Sequence, residues 1–263
     1  MKLLFDAEAK GKTMRVACFM SGTGTNARKL IEYQKSFEKK LQVPPFKIVA
    51  IFTDNPDSNA EAIANEFELP YLEGDFDKFI EDKEKNSESR KQFDRMTYWM
   101  IKSYRADAIA LCGYSKIVTS PILDNYLVIN VHPGDLSVIE DGKRRYAGLH
   151  NVPAKKAILA GEQFLHSTTH IVTEELDAGH LLIISKPLTV ELPYGINIDD
   201  LINPENEKLL DEVASKHQDM LKEIGDWEIL PLTLHWIAEG RFGIGGDNKV
   251  HLDGREIING YRL

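Results

Sequence analysis

Asn130 and His132 stand two residues apart at the end of an apolar run, in the stretch YLVINVHP (126–133). If this run is a strand, residues i and i+2 point to the same face, so the amide and the imidazole converge beyond the strand's end. An amide can donate to a developing oxyanion, and an imidazole exchanges protons near neutral pH. The spacing indicates a centre for such chemistry. The alternative is an asparagine that closes the strand and a histidine bonded to backbone.

Two further polar segments follow predicted strands. Residues 21–26 (SGTGTN) precede a predicted helix, and their glycines, hydroxyls and helix amides suit a phosphate, although a simple tight turn is the alternative. Ala27 occupies the position of the third glycine of a dinucleotide-binding fingerprint, so the match to that motif is poor. Asp54 ends the next predicted strand, and a nicotinamide cofactor therefore remains an alternative. Asp177, in Glu-Leu-Asp-Ala-Gly, is either a turn residue or a carboxylate that faces His132, orients it and raises its pKa.

These side chains need a sheet whose strands end at one edge. Buried-strand patterns at 14–22, 46–54, 107–118 and 126–133 alternate with helical patterns at 25–37 and 59–67. Such alternation predicts an α/β, Rossmann-like, mostly parallel sheet with helices on both faces, and ligands bind such sheets at the carboxyl ends of the strands. After it, the patterns predict an antiparallel excursion at 167–190 and a polar linker at 191–206. Helices around 205–224 and at 231–241 form a predicted C-terminal helical segment, and residues 248–254 predict a terminal strand and turn.

The stretch 76–104 is helical in period and rich in charge. Its spacing predicts one packed side, formed by Phe93, Met96, Trp99, Met100 and Tyr104. The charged run at 81–91 within it predicts a solvated helix or loop.

Composition sets the remaining limits. The 263 residues suit one large domain, which we place at 14–263, after a polar N-terminal extension at 1–13. A net charge of −9 argues against a nucleic-acid partner but leaves room for a local site for a small anion. Cys18 and Cys112 lie in predicted buried strands, so we expect no disulfide framework. We therefore expect the protein in the reducing cytoplasm. We expect no membrane span, since no apolar run approaches ~20 residues, and no metal, since no His/Cys cluster has ligand spacing.

Seven stretches together resemble the formyltetrahydrofolate-dependent formyltransferase family. They are SGTGTN (21–26), LCGYSKIV (111–118), INVHP (129–133), YAGLHNVPAKKAILAG (146–161), THIVTEELDAG (169–179), LPLTLHWIAEGR (230–241) and VHLDG (250–254). Asn-x-His-Pro followed by Glu-Leu-Asp-x-Gly is specific for the superfamily. The first turn and the C-terminal stretches narrow the resemblance to members that formylate glycinamide ribonucleotide. The resemblance implies the formyltransferase fold and small-molecule substrates, and it leaves monomer and homodimer open.

The resemblance also implies a reaction, with 10-formyltetrahydrofolate as co-substrate and no metal. The amine of glycinamide ribonucleotide would attack the formyl carbon in a step of purine synthesis. Asn130 would donate a hydrogen bond to the oxyanion, and a partly cationic His132 would stabilise the same oxygen. Asp177 would hold the imidazole and help a proton move through water. An amino sugar or water as acceptor, or a folate- or nucleotide-binding module without activity, remain alternatives.

The family's binding residues carry over to three groups of positions. The ribonucleotide phosphate would be held by Gly22, Thr23, Gly24, Thr25 and Asn26. The pterin pocket would be lined by Leu111, Tyr114, Lys116, Ile117 and Val118, with Thr173, Glu174, Glu175 and Leu176 opposite. The further candidate substrate contacts are Ser115, His170 and Asp226.

This chain departs from the family pattern at several of these positions. Ser115 and Lys116 replace the usual Met and Arg, and lysine lacks the planar fork of arginine. Asp226 stands in a pair where the family usually has Glu-His. The loop before Tyr146 is longer than usual and contains three cations at 143–145 (KRR). These cations either close over an anionic ligand or lie solvated.

Overall fold

A computed structural model describes residues 1–80 and 87–263 of the chain. In the described chain the strands, in sequence order, are β1 Lys2–Leu3, β2 Met14–Met20, β3 Phe46–Thr53, β4 Tyr71–Glu73, β5 Ala108–Leu111, β6 Leu127–His132, β7 Ile139–Glu140, β8 Lys143–Arg144, β9 Phe164–Leu165, β10 Thr168–Ile171, β11 Leu181–Ile184, β12 Leu188–Thr189, β13 Phe242–Ile244, β14 Val250–Leu252, β15 Arg255–Glu256 and β16 Tyr261–Arg262.

The helices are α1 Ala7–Lys10, α2 Thr25–Glu38, α3 Ala60–Phe67, α4 Phe76–Phe79, α5 Ser87–Lys102, α6 Ser120–Leu123, α7 Val152–Leu159, α8 Ile198–Ile202, α9 Glu207–Leu221 and α10 Trp227–Ala238. A 3₁₀ turn at Pro204–Asn206 precedes α9, and a π-helical turn at Lys222–Asp226 joins α9 to α10.

The central sheet of the described residues has eight strands in the order β16-β11-β10-β6-β5-β2-β3-β4. Neighbours from β6 to β4 pair in parallel. Helices cover both faces, as β2 shows: Val16, Cys18 and Met20 pack in one core with α2 and α10, while Ala17 and Phe19 pack in another with α5 and α6. Burial on both faces explains why these strands are almost continuously apolar. The predicted α/β class with a mostly parallel sheet is confirmed.

The antiparallel excursion is β10, which pairs antiparallel with both β6 and β11. The predicted C-terminal helices are α9 and α10, although α10 begins at Trp227 and continues through Pro231, where the sequence predicted its start. The polar linker contains α8, whose first turn is fixed by a capping box of Asn197 and Asp200. The terminal strand is β14.

The predicted packed side of the 76–104 segment is partly wrong. Phe93 is fully buried, but Met96 is 37% and Trp99 is 62% exposed. The buried side of α5 instead includes Thr97 and Ile101, one and two turns after Phe93. Residues 81–86 of the predicted charged run lie outside the described residues. Its remainder, from Ser87, forms the start of α5.

Residues 1–13 pack against the rest of the fold. β1 pairs antiparallel with β13, and Phe5 is 3% exposed in the main core. The ammonium groups of Lys10 and Lys12 lie 3.0 and 2.9 Å from Asp107 Oδ1. A two-residue strand and a single buried aromatic ring give too short a pattern to recognise in a polar segment. The boundary between an extension and a domain at 13/14 stays a prediction.

We predict that Phe5→Ala lowers the free energy of unfolding by about 3 kcal/mol, because it removes a buried ring and leaves a cavity. The exposed Lys2→Ala in the same segment should leave it nearly unchanged. Chemical denaturation of both variants measures this. Equal stability of the two would mean that the N-terminal segment contributes nothing to the fold.

Candidate active site

The polar exits of β2, β5 and β6 meet at the carboxyl edge of the sheet, because these strands run parallel. A cavity of 290 Å³ opens there. Its lining includes Asn130, His132 and Asp177, so the structure brings the three predicted catalytic residues to one site.

Asn130 is oriented by a histidine on the neighbouring strand. The register of β6 and β10 places Asn130 opposite His170, and Asn130 Nδ2 lies 3.2 Å from His170 Nε2. His170 Nδ1 lies 3.0 Å from the carbonyl oxygen of Ile171, which can only accept, so Nδ1 carries the proton and Nε2 accepts from the amide. An amide nitrogen has two N–H groups. The second can therefore serve an oxyanion in the cavity that Asn130 lines.

His132 is 3% exposed and donates from Nε2 to the carbonyl oxygen of Tyr146 over 2.7 Å. Its Nδ1 lies 3.5 Å from Asp177 Oδ2. Burial lowers the pKa of His132 below its ordinary value of 6.5, and the opposing effects of Asp177 and the Tyr146 carbonyl do not restore it. Desolvation thus disfavours the cationic form of the imidazole, and the nearby carboxylate favours it. The expectation of a partly cationic ring stays a prediction.

Asp177 is a carboxylate between two imidazoles. Its Oδ1 lies 3.6 Å from His170 Nε2, and the Gly148 N–H donates to Oδ2 over 3.1 Å. Burial raises the pKa of Asp177, but the His170 and His132 imidazoles in their protonated forms and the Gly148 N–H lower it by more, so the pKa lies below its ordinary value. Asp177 also has a φ of 53°, in the left-handed region that is typical of tight turns. Asp177 is thus a turn residue whose carboxylate faces His132 and opposes the lowering of its pKa.

Most of the predicted folate-binding residues line the same cavity. They are Leu111, Tyr114, Lys116, Ile117, Val118, Thr173 and Leu176, and the candidate contacts Ser115, His170 and Asp226 also line it. Glu174 and Glu175 do not. The carboxylate of Glu174 accepts from the Ser120 backbone N–H over 3.1 Å, and Glu175 has an exposed side chain in the same loop. The family pattern predicted that the loop at 173–176 borders the cavity, but it did not predict which of its side chains face the cavity.

The predicted phosphate-binding segment, residues 22–26, forms the entry to α2. Of these residues, Asn26 lines the cavity. Gly24 has a φ of 68°, and a side chain there would collide with Met20 and Ile63. As the N-cap of α2, Gly24 provides no side-chain acceptor, so the first amides of the helix remain available to an anion. The geometry agrees with an anion site.

Arg90 is a functional candidate that the sequence analysis missed. It is 8% exposed, although its charged run was predicted to be solvated. Its Nε donates to the Ile117 carbonyl over 2.6 Å, and its Nη2 donates to Asp94 Oδ1 over 2.8 Å and to the Tyr114 hydroxyl over 2.9 Å. Arg90 thereby contacts the loop at 114–117, which lines the cavity. The available signal was the i, i+4 spacing of Arg90 and Asp94 on a predicted helix.

Asp54 is nearly fully buried and accepts a hydrogen bond from the Ser21 hydroxyl. Its other carboxylate oxygen lies 3.7 Å from Lys116 Nζ. Asp54 therefore faces the ammonium group of Lys116 at ion-pair distance, and its carboxylate is buried where a ribose does not reach it. This arrangement argues against the nicotinamide alternative.

Asp226 is a buried carboxyl that lines the cavity. Its Oδ1 accepts from the Ser167 hydroxyl over 2.5 Å, and its Oδ2 accepts from Asn26 Nδ2 over 3.3 Å. Burial raises the pKa of Asp226 to about 6, against the smaller effects of these hydrogen bonds and of Lys222. The π-helical turn between α9 and α10 ends at this residue. π-Helical turns are frequent at functional sites.

The parallel sheet and the amide, imidazole and carboxylate at its carboxyl edge define an α/β protein with a site suited to group transfer. Residues 14–192 match the family model described as Formyl transferase. The chain belongs to the formyl transferase family.

Two curated relatives match most of the chain. The phosphoribosylglycinamide formyltransferase of Haemophilus influenzae is 26% identical over 245 residues, 92% of this chain and 95% of that protein. The Escherichia coli protein of the same name is 24% identical over 249 residues, covering 93% and 96%. Among solved structures, phosphoribosylglycinamide formyltransferase from Coxiella burnetii in complex with CHES has a TM-score of 0.66 and 23% identity, over 96% of this chain and all of that one. This similarity supports the fold.

Within 1–80 and 87–263, no helix is both long and apolar enough to cross a membrane. Over the same ranges, no three His, Cys, Asp or Glu side chains are grouped to hold a metal ion.

The raised pKa of Asp226 makes stability depend on pH. The unfolded chain loses this proton near the ordinary pKa of 3.8 and the folded chain near 6, so stability falls as pH rises through that window, by up to about 3 kcal/mol. We predict that Asp226→Asn, which cannot ionise, is more stable than the unchanged protein at pH 7, and that the difference disappears towards pH 4. Denaturation across this range tests it. A constant difference would contradict the burial account.

Proposed function

We propose that this chain transfers the formyl group of 10-formyltetrahydrofolate to the primary amine of glycinamide ribonucleotide. The single observation that carries the proposal is the convergence of Asn130, His132 and Asp177 on one cavity. The activity in the names of the relatives, which align over nearly the whole chain, supports this choice of substrates. Both substrates are small molecules. The unpaired thiols of Cys18 and Cys112 agree with a cytoplasmic location.

The reaction needs a donor to an oxyanion. Attack of the amine nitrogen on the formyl carbon forms a C–N bond and moves the carbonyl electron pair onto oxygen. The second N–H of the Asn130 amide donates to that oxygen, while the first is held by His170. A donor of this kind typically contributes ~3–4 kcal/mol to transition-state stabilisation.

The reaction also needs one proton to pass from the attacking amine to the folate nitrogen as the old C–N bond breaks. His132 donates from Nε2 to Tyr146, so in the neutral ring Nδ1 is the free acceptor. A proton taken up at Nδ1 creates an imidazolium 3.5 Å from the Asp177 carboxylate, which stabilises it. The lowered pKa of His132 suits this role, since a cationic ring could not accept.

The binding regions follow the same edge of the sheet. Leu111, Ile117, Val118 and Leu176 give the cavity an apolar lining that suits a pterin ring. The ammonium group of Lys116, held by Asp54, suits an anionic group of the folate. The free amides at the start of α2 suit the ribonucleotide phosphate, and the adjacent Asp226 suits its amine.

An acceptor panel tests the proposed function. We predict that tetrahydrofolate is released from 10-formyltetrahydrofolate at a rate that depends on glycinamide ribonucleotide, because the site provides for an amine nucleophile. The matched reactions contain an amino sugar or no amine. Release without amine would identify a hydrolase, preference for the amino sugar would identify another acceptor, and saturable folate binding without turnover would identify a binding module.

Two substitutions test the proposed residue roles. Asp177→Asn and His132→Ala should each lower turnover by at least about 100-fold, since each removes a group that takes part in proton transfer. His251→Ala, on β14 away from the cavity, is the control and should retain full activity. Circular dichroism confirms folding. Near-normal rates in both catalytic variants would contradict the assignment.

A further inference from the structure

Arg144 lies in the short β7–β8 hairpin, part of the loop that is longer here than in the family pattern. Its guanidinium reaches the loop that carries Asp177. Nη1 donates to the Asp177 carbonyl, and Nη2 donates to the Gly179 carbonyl over 2.6 Å. One planar group thus bridges two carbonyls on either side of Ala178, a geometry that arginine can provide and lysine cannot.

The 177–179 loop, which Arg144 bridges, also packs closely against β10 on its opposite side. A side chain at Gly179 would overlap the carbonyl of Ile171 on β10, so the loop lies directly against the sheet. Asp177 has a φ of 53°, a left-handed turn conformation that is uncommon for non-glycine residues but that aspartate adopts more readily than most. The loop is therefore pinned between β10 and the guanidinium, and the carboxylate of Asp177 projects from the pinned segment towards His132 and His170.

The neighbouring cation has a different environment. Arg145 Nε lies 3.4 Å from Glu140 within the hairpin, and its guanidinium lies over the Tyr146 ring at 5.7 Å. Two of the three cations at 143–145 thus have partners within the protein, which does not support closure of these two over an anionic ligand. Arg145 also provides a matched control for Arg144.

We propose that Arg144 is a positioning residue for the catalytic carboxylate, acting through the backbone of the 177–179 loop. This inference rests on the proposed function. It predicts that the hairpin fixes the distance from Asp177 to His132, on which proton transfer depends, without touching either substrate.

The Arg144 charge has a second effect on the same centre. The charged and titratable groups that face His132 are Asp177, His170 and Arg144, and Arg144 itself faces Asp177 and Glu175. Burial makes the largest contribution to the lowered pKa of His132, and the positive charge of Arg144 lowers it further. Loss of this charge therefore raises the pKa of His132 and moves the acidic limb of the pH–rate profile to higher pH.

The test compares Arg144→Met, Arg144→Lys and Arg145→Met in the full chain, with 10-formyltetrahydrofolate and glycinamide ribonucleotide as substrates. We predict that Arg144→Met lowers kcat by about 10- to 100-fold, because a misplacement of about 1 Å is enough for such a loss. KM for the amine should not change, and the acidic limb should move to higher pH. Arg144→Lys should lower kcat without moving the acidic limb of the pH–rate profile. Lysine keeps the positive charge but cannot bridge the Asp177 and Gly179 carbonyls. Arg145→Met should alter neither.

An unchanged kcat in Arg144→Met, or an equal loss in Arg145→Met, would overturn the inference. If thermal denaturation shows that Arg144→Met does not fold, Arg144→Lys provides the test. Full activity of Arg144→Lys would then overturn the inference. Asp177→Asn is measured in parallel to separate the two proposals. An active Asp177→Asn would refute the proposed role of Asp177, whereas an inactive Asp177→Asn with an active Arg144→Met would refute this inference alone.

Discussion

The antiparallel pairing of β10 with β6 is the contact on which the catalytic geometry depends. Its register places His170 opposite Asn130 and Thr168 opposite His132. The Thr168 hydroxyl strengthens this end by donating to the Gly134 carbonyl over 2.7 Å and accepting from the Leu136 N–H over 3.2 Å. A slip of one residue would turn every side chain of β10 to the other face. The amide would then lose its orienting partner, and the loop that carries Asp177 would leave the site.

Burial sets the electrostatics of the site. It disfavours the cationic form of the His132 imidazole, and the charged form of Asp177 is recovered by the neighbouring imidazoles and a backbone N–H. Asp226 receives neutral hydrogen bonds from Ser167 and Asn26 and a smaller effect from Lys222, which do not offset burial, and its pKa rises to about 6. A carboxyl that opposes folding near neutral pH and lines the ligand cavity is a case of stability given up at a functional site.

Much of the fold and part of the site could be predicted from the sequence because they depend on local spacing. The Asn-x-His spacing fixes a shared face, and the apolar runs reveal doubly covered strands. The contacts of Arg90 and Arg144 were missed, because they are made with residues distant in the chain: Arg90 with Tyr114 and Ile117, for which its i, i+4 spacing to Asp94 was only an indirect signal, and Arg144 with the Asp177 loop. The lowered pKa of His132 could not be predicted either, since desolvation depends on packing around the ring and not on its neighbours in sequence.

Tracing the formyl carbon tests the central claim most directly. With 10-formyltetrahydrofolate labelled in the formyl carbon and glycinamide ribonucleotide as acceptor, the account predicts that the label appears on the amine nitrogen of the ribonucleotide as a formamide. Label recovered as free formate, or retained on the folate with both substrates present, would contradict it.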